Sequence, residues 1–512
     1  MATITEALTI ALDLHLSGRL GEAQELYARI LDADPEQPDA LHFLGVLAGQ
    51  IGEGAFGLTL IARALGLRPE AADIHANHAN ILRGLADRAR DAADAYRRAI
   101  ALRPDFAEAW TDFATLCRTL GDGDGAIGAL DHAVRAAPAL AAARERLVLL
   151  LHERGRLLVE SGRGVAALPF LTRAADLAPL DADIAFLLGN ALYATGLRAD
   201  SLGAYRRAVA LVPDFLSAVF NLGIALGKID RLEDAATVLS HGVSIDPTHL
   251  DTLENLILTL YGLDREAEAN AWAETALDRK NAQAQAQAPA SPFLPATPQG
   301  IRQRTRDVVA FSLWGGNELY GRGAVENARL TPVLFPGWVC RIYHDDSVPA
   351  ATLSELAACG AELIAMEPGS GPLHGLYWRF YASDDPTVGR FLCRDCDSRL
   401  SAKEKAAVDA WIASGRDFHV MRDHILHTEL ILAGMWGGVA GLLPELRGLS
   451  ERFARTDVDR WQDQRFLRRF VWPLIRNRAL IHDRTHRRHG VPFPDRPDGP
   501  YPERIGARVM PG

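Results

Sequence analysis

The chain has 512 residues, 48% of them hydrophobic, and a formal net charge of −10, which is more than one hydrophobic core usually organises and points to at least two domains. The acidic balance argues against attraction to a nucleic-acid backbone, which requires a positive field. Five cysteines in this length are too few for a disulfide framework and fit a reducing compartment.

Met1 to Ser17 contains no Lys or Arg and includes Glu6 and Asp13, so it lacks the pattern of a signal peptide. The longest uncharged apolar run, Leu430 to Pro444, is broken by Gly434, Gly437, Gly438 and Gly441 and falls short of the roughly 20 residues of a membrane span. The expectation is a cytoplasmic protein with no membrane span and no nucleic-acid partner.

A proline closes similar helical segments at Pro35, Pro69, Pro104, Pro138, Pro179, Pro213 and Pro247, with successive gaps of 34, 35, 34, 41, 34 and 34. Residue types recur in register with these prolines. Six residues after a proline come Leu41, Trp110, Val219 and Leu253, and ten after come the small residues Gly45, Ala79, Ala114, Gly189 and Gly223. Five before come Ala64, Ala99, Ala133, Ala174, Ala208 and Gly242, and eight before come bulky residues such as Tyr27, Ile61, Tyr96 and Tyr205. The pattern resembles the tetratricopeptide family, in which two-helix units stack because none can bury its apolar face alone. The 41-residue gap, around Arg144 to Gly164, reads as one or two inserted helical turns, or alternatively as a kink.

Two places before the small crossing residue stand Asn77, Asp112, Asn221 and Asn255, at a position that lines the groove in this family. An asparagine offers donor and acceptor together, so a series of them suits the backbone of an extended peptide, as well as ordinary groove polarity. The arrangement resembles the asparagine ladder of the O-linked N-acetylglucosamine transferases. It implies acceptor-binding roles for these four residues, interrupted by Phe43 and Leu187.

The expected organisation is an all-α repeat solenoid over 1–280, a Gln, Ala and Pro-rich linker over 281–300, an α/β domain over 301–490 and a Pro-rich tail over 491–512. In the third segment, strands are expected at Val308–Leu313, Trp338–Tyr343, Glu362–Met366 and Arg390–Cys393. Helices are expected at Tyr320–Leu330, Ala351–Cys359 and Gly375–Ala382. This alternation predicts a largely parallel sheet with its site at the carboxyl ends of the strands. Cys393 and Cys396, three apart at a strand end, point to opposite faces, which favours buried packing over a zinc or redox pair.

The fourth strand runs into Arg394-Asp395-Cys396-Asp397-Ser398. Two carboxylates so spaced are hard oxygen ligands for Mg²⁺ or Mn²⁺, which can bridge a diphosphate; Asp-x-Asp also marks ordinary turns. Together with Trp411, Met421-Arg422-Asp423-His424 and Gly434-Met435-Trp436-Gly437, this run resembles the GT-A class of nucleotide-sugar glycosyltransferases over most of Val308 to Arg488. The resemblance implies that Asp395 and Asp397 hold a metal and the donor diphosphate, with His482 as a further ligand or simply a solvated histidine.

It also implies donor contacts from Ser312, Arg379 and Arg394, with a structural ion pair the other reading of Arg379. Asp423 reads as a base or as the partner of Arg422, and Asp463 as a base, an acceptor contact or plain helix surface. The function expected is metal-dependent transfer of a sugar from a nucleotide sugar to a polypeptide held by the repeats. The alternatives are a non-catalytic repeat adaptor and a transferase acting on a glycan or lipid-linked acceptor.

Overall fold

The computed structural model describes residues 3–288, 304–367, 373, 375–454, 459, 461–496 and 505. The chain divides into two compact units, Met1–Ala225 and Leu226–Gly512. The first is a tetratricopeptide-repeat solenoid of consecutive helices from Ile4–Leu16 to Leu216–Lys228, the last of which spans the division. The same helical pattern continues in the second unit through Leu232–Ile245, Leu250–Gly262 and Glu266–Ala286.

Each repeat ends for a local reason. The residue before a proline is driven out of helical geometry by the proline ring, and the C-caps Asp34, Arg103 and Asp246 all sit outside it, at φ −140, −137 and −129. The small residues mark close crossings. A Cβ added at Gly189 would lie 2.5 Å from the ring of Tyr205, and one at Gly45 would lie 2.9 Å from Ile61. Thus the small position of one helix receives the bulky position of the next, and Ala64, Ala99, Ala133, Ala174 and Ala208 are fully buried at the crossings. The long gap is an elongated helix, Ala141–Glu160, with 20 residues where Ala107–Thr119 has 13. The extra seven residues equal the excess of the 41-residue gap over 34, so about two turns are inserted without a break.

In the second unit a sheet is formed by β1 (Arg306–Leu313), β2 (Trp338–His344), β3 (Glu362–Ala365), β4 (Val388–Arg394), β5 (Phe418–Arg422), β6 (Met435–Val439) and β7 (Ala479–Asp483). Their order is β3-β2-β1-β4-β6-β5-β7. β6 runs antiparallel to both neighbours and the remaining pairs are parallel. Both faces are covered, as a mainly parallel sheet requires. Val308 and Ala310 of β1 pack in one core with Phe391 and Trp436, while Val309, Phe311 and Leu313 pack in the other with Leu392 and Ile342. The α/β class is therefore as expected. The segment expected as a helix over Gly375–Ala382 is a 3-10 helix, Trp378–Ser383.

Two segment boundaries differ in detail from the sequence expectation. Asn281–Ala286, expected as linker, continue the helix Glu266–Ala286, because Ala and Gln are good helix formers and Lys280 and Ala284 of this helix are buried. Residues 289–303 lie outside the described part. In the expected tail, Val491 pairs with His482, and Phe493 and Ile505 are buried beside Met421 and Met435. No helix among the described residues is long and apolar enough to cross a membrane.

The last repeat helices are part of the sheet unit by packing and by charge. Leu277 and Ala284 belong to the same core as Phe391 and Trp436. Lys280, with no exposed surface, donates to Thr428 O at 3.1 Å and Glu429 Oε1 at 2.6 Å and also pairs with Glu254. Trp472 Nε1 donates to Asn281 Oδ1 at 2.8 Å.

Candidate functional site

The chain leaves β1 toward β2 and β3 on one side, then returns to β4 on the other, so strand order reverses between β1 and β4. Such a reversal opens a crevice at the carboxyl ends of the strands. The crevice here is a cavity of about 810 Å³, within the roughly 300–1,000 Å³ of ligand pockets.

Its walls come from four places. β1 delivers Ser312 and the turn Trp314-Gly315-Gly316, in which Gly315 has φ 74. β4 delivers Asp395 and Asp397 just past its last residue. The 3-10 helix delivers Arg379, and the short helix Gln462–Phe466 delivers Asp463.

Arg379 is the hub. Its backbone N–H donates to Ser312 Oγ at 2.9 Å, and its Nε donates to Ala433 O at 3.2 Å. Its terminal Nη2 lies 2.9 Å from Asp463 Oδ2 and 3.2 Å from Asp395 Oδ1. Burial alone disfavours the guanidinium charge, but Asp395 and Asp463 outweigh it and push its proton affinity up. Burial raises the Asp463 carboxyl to about 6, opposed by Arg379 and reinforced by the negative charge of Asp395. Asp463 Oδ1 also accepts the backbone N–H of Gln464 at 2.8 Å.

Asp395 has 45% of its side chain exposed, so unlike Asp463 it faces the open cavity. Its place depends on Gly434, where an added Cβ would lie 2.0 Å from Asp395 Oδ2. That close approach is the physical reason for the glycine in the Gly434-Met435-Trp436-Gly437 run. Cys393 and Cys396 point into opposite cores, as their spacing implied. Their thiols donate to Arg379 O and Ser312 O, and burial pushes both up, Cys393 to about 12.

The structure thus brings together Ser312, Arg379, Asp395, Asp397 and Asp463, and separates three other candidates from them. Arg394 points into the sheet core, where it pairs with Glu404 and donates to Cys393 O and Trp436 O, so it is committed to packing rather than to a donor. Asp423 is fully buried, paired with Lys403, and accepts the Ile505 N–H at 2.7 Å. Arg422 pairs not with Asp423 but with Asp483 at 2.6 Å.

His482 lies on β7, three strands from β4, or about 14 Å across the sheet. Its Nδ1 is 2.8 Å from His419 Nε2, and burial lowers it to about 4. No group of three or more His, Cys, Asp or Glu residues among the described residues is arranged to hold a metal ion.

The groove candidates are largely engaged with neighbours. Asn77 Nδ2 is 2.9 Å from His42 Nε2, Asn221 Nδ2 donates to Asn190 Oδ1 at 2.8 Å, and Asp112 pairs with Arg83 at 3.6 Å. Asn255 Nδ2 bonds back to Asp251 O within its own helix at 2.8 Å. The bonds of Asn77, Asp112 and Asn221 tie successive repeats together, a role invisible in the spacing. Sequence reading also missed the aromatic wall of the cavity, Trp314, Tyr320 and Trp461, of which Trp461 is 49% exposed. The available signal for Trp461 was a tryptophan immediately before Gln462-Asp463.

Two family models match within the helical half of the chain. The bacterial transcriptional activator domain matches residues 87–217, and the tetratricopeptide repeat matches residues 186–249. No curated protein matches. Among solved structures, the tetratricopeptide protein YrrB, described with an unusual peptide-binding site, is 23% identical, with 38% of this chain and 95% of that one covered and a TM-score of 0.25. MamA is 20% identical over 37% of this chain and 97% of its own, with a TM-score of 0.26. A mutant O-GlcNAc transferase of Thermobaculum terrenum is 21% identical over 44% of this chain and 42% of its own, with a TM-score of 0.27.

Proposed function

We propose that the chain is a metal-dependent, GT-A-like glycosyltransferase of the cytoplasm that moves a sugar from a nucleotide sugar to a polypeptide acceptor held by its repeats. The observation that carries this reading is the convergence of Ser312, Arg379, Asp395, Asp397 and Asp463 on one cavity at the strand-order reversal. Three carboxylates and one guanidinium line it, leaving two negative charges when all are ionised. A diphosphate would be repelled by that balance, and a divalent cation would offset it.

The donor set fits such a cation. Asp395 and Asp397 are hard oxygen ligands in a roomy cavity, which suits Mg²⁺ or Mn²⁺ that keep water and phosphate oxygens as remaining ligands. When bound, the ion would supply charge stabilisation for the departing diphosphate.

The chain's own residues supply the rest. Arg379 fixes the Asp395 carboxylate from behind while Gly434 leaves it room. Asp463, with its proton affinity raised to about 6, is ionised for the most part at neutral pH and is the cavity's candidate general base toward an acceptor hydroxyl. Trp314, Tyr320 and Trp461 offer flat apolar faces for a nucleobase or a sugar ring.

The test is hydrolysis of a panel of nucleotide sugars with and without Mn²⁺. Asp395→Ala and Asp397→Ala are expected to abolish nearly all turnover while leaving the circular dichroism unchanged, and full activity in the double variant would sink the metal assignment. One observation favours a second reading, a non-catalytic adaptor: no group of three or more His, Cys, Asp or Glu among the described residues is arranged to hold a metal ion, Asp463 being turned to Arg379. Absence of both donor binding and hydrolysis across the panel would select it.

A further inference from the structure

The first unit contains a cavity of about 320 Å³ between the helices Ala107–Thr119 and Ala141–Glu160. Its charged lining residues are Arg118 and Arg146, and no carboxylate lines it, in a chain whose net charge is −10. Neither arginine has an ion-pair or hydrogen-bond partner among the described residues, whereas Arg83, Arg97, Arg135, Arg154 and Arg173 nearby are all paired. Arg146 stands eight residues after Pro138, the same register as Asn77, Asp112 and Asn221. At that register those three reach across to an adjacent repeat, and Arg146 does not.

The other polar wall is a row of threonines. Thr111, Thr115 and Thr119 each donate the hydroxyl proton to the carbonyl four residues back, at 2.8, 3.1 and 3.0 Å. Their protons being committed, the oxygens present acceptor lone pairs. Four helical residues advance about 6 Å, near the roughly 6.6–6.8 Å over which an extended strand repeats a backbone N–H on the same side. Arginine forks suit carboxylates, and the threonine oxygens suit the N–H groups of the chain bearing them.

We infer that this cavity binds an extended acidic polypeptide segment, seating an Asp or Glu side chain between Arg118 and Arg146 and its backbone N–H groups along the threonine row. The inference rests on the reading of the repeats as a polypeptide holder and narrows the acceptor to an acidic one. It does not depend on sugar transfer.

The experiment measures fluorescence anisotropy of a labelled alternating Glu-Ala peptide against the full chain, with no nucleotide sugar present, beside the matching Gln-Ala peptide. The Glu-Ala peptide is expected to bind with steep salt dependence and to lose roughly tenfold or more in affinity in Arg118→Gln/Arg146→Gln. Thr115→Val, which keeps the arginines, is expected to weaken the Glu-Ala peptide by a smaller factor and to leave the circular dichroism unchanged. Equal binding of the Gln-Ala peptide, or unchanged affinity in the folded double glutamine variant, would overturn the proposal. Donor hydrolysis, measured separately, is expected to be unaltered in these variants. A failure of the transferase reading would therefore appear in that assay and not in peptide binding.

Discussion

Arg379 Nη2 and Asp463 Oδ2 meet at 2.9 Å with both side chains almost wholly buried, and the same nitrogen reaches the half-exposed Asp395 at 3.2 Å. One guanidinium therefore links the floor of the cavity to its mouth. Replacing Arg379 with Met strands the Asp463 carboxylate in an apolar setting, and loss of one partner from a buried pair costs about 3–5 kcal/mol. Chemical denaturation is expected to register that loss, with Arg379→Lys recovering only part of it because an ammonium lacks the planar fork. An unfolding midpoint equal to that of the parent chain in Arg379→Met would contradict the role.

Gly434 offers a test of whether Asp395 must stand where it does. The methyl of Gly434→Ala would enter the space of the Asp395 carboxylate. The expected stability cost is about 1–3 kcal/mol, as for other overpacked sites. Mn²⁺ binding by calorimetry is expected to weaken by more than the stability change explains. Unaltered Mn²⁺ affinity would show that Asp395 is free to adjust.

Lys280 joins the last repeat helices to the sheet within one compact unit. Lys280→Met removes the buried cation shared by Glu254 and Glu429 and leaves Glu429 to Arg468 at 3.2 Å, a change expected to cost about 1.5–3 kcal/mol. A chain shortened to begin after residue 280 loses this contact together with Leu277, and is expected to fold poorly. One beginning at Leu226 keeps both and is expected to retain the cooperative unfolding of the sheet. Equal behaviour of the two shortened chains would show that the repeat helices are dispensable to the sheet.

His427 makes acid stability predictable in sign. Its Nδ1 accepts the backbone N–H of Asp423 at 3.0 Å, and burial, assisted by His424, lowers it to about 3. The folded-state affinity for a proton is thus below the unfolded value of about 6.5. The unfolded chain binds more protons in that interval, so the contribution is complete above about pH 6.5 and is lost as pH falls toward 3. Urea midpoints across this range are expected to fall less steeply in His427→Asn, which keeps an acceptor and removes the titration. Parallel curves would assign the acid loss to other groups.

The solenoid was readable because its determinants are close along the chain. Gly189 and Tyr205 fall within one helix pair, and the pre-proline residues Asp34 and Arg103 end their helices through local backbone sterics. The strands were readable for a similar reason, since Val308 and Val309 alternate between two cores in a period of two. Asp395 and Asp397 stood out because two carboxylates two positions apart directly follow an apolar strand, a pattern contained in a few consecutive residues.

The site beyond those two carboxylates required the fold. Asp423, Asp463 and His482 were equally polar candidates as letters, yet Lys403 and Ile505 close around Asp423, His419 takes His482, and Asp463 alone of the three lines the cavity. Likewise, the groove position gave Asn77, Asp112, Asn221 and Arg146 the same register, and only packing separates the first three, engaged across repeats, from the arginine that is not. The sequence by itself determined the repeat, the α/β alternation and the strand-end carboxylates, all products of short-range backbone and side-chain periodicity. Tertiary structure alone decided which charged groups neutralise one another and which remain for a ligand, because that depends on burial and on partners far away along the chain.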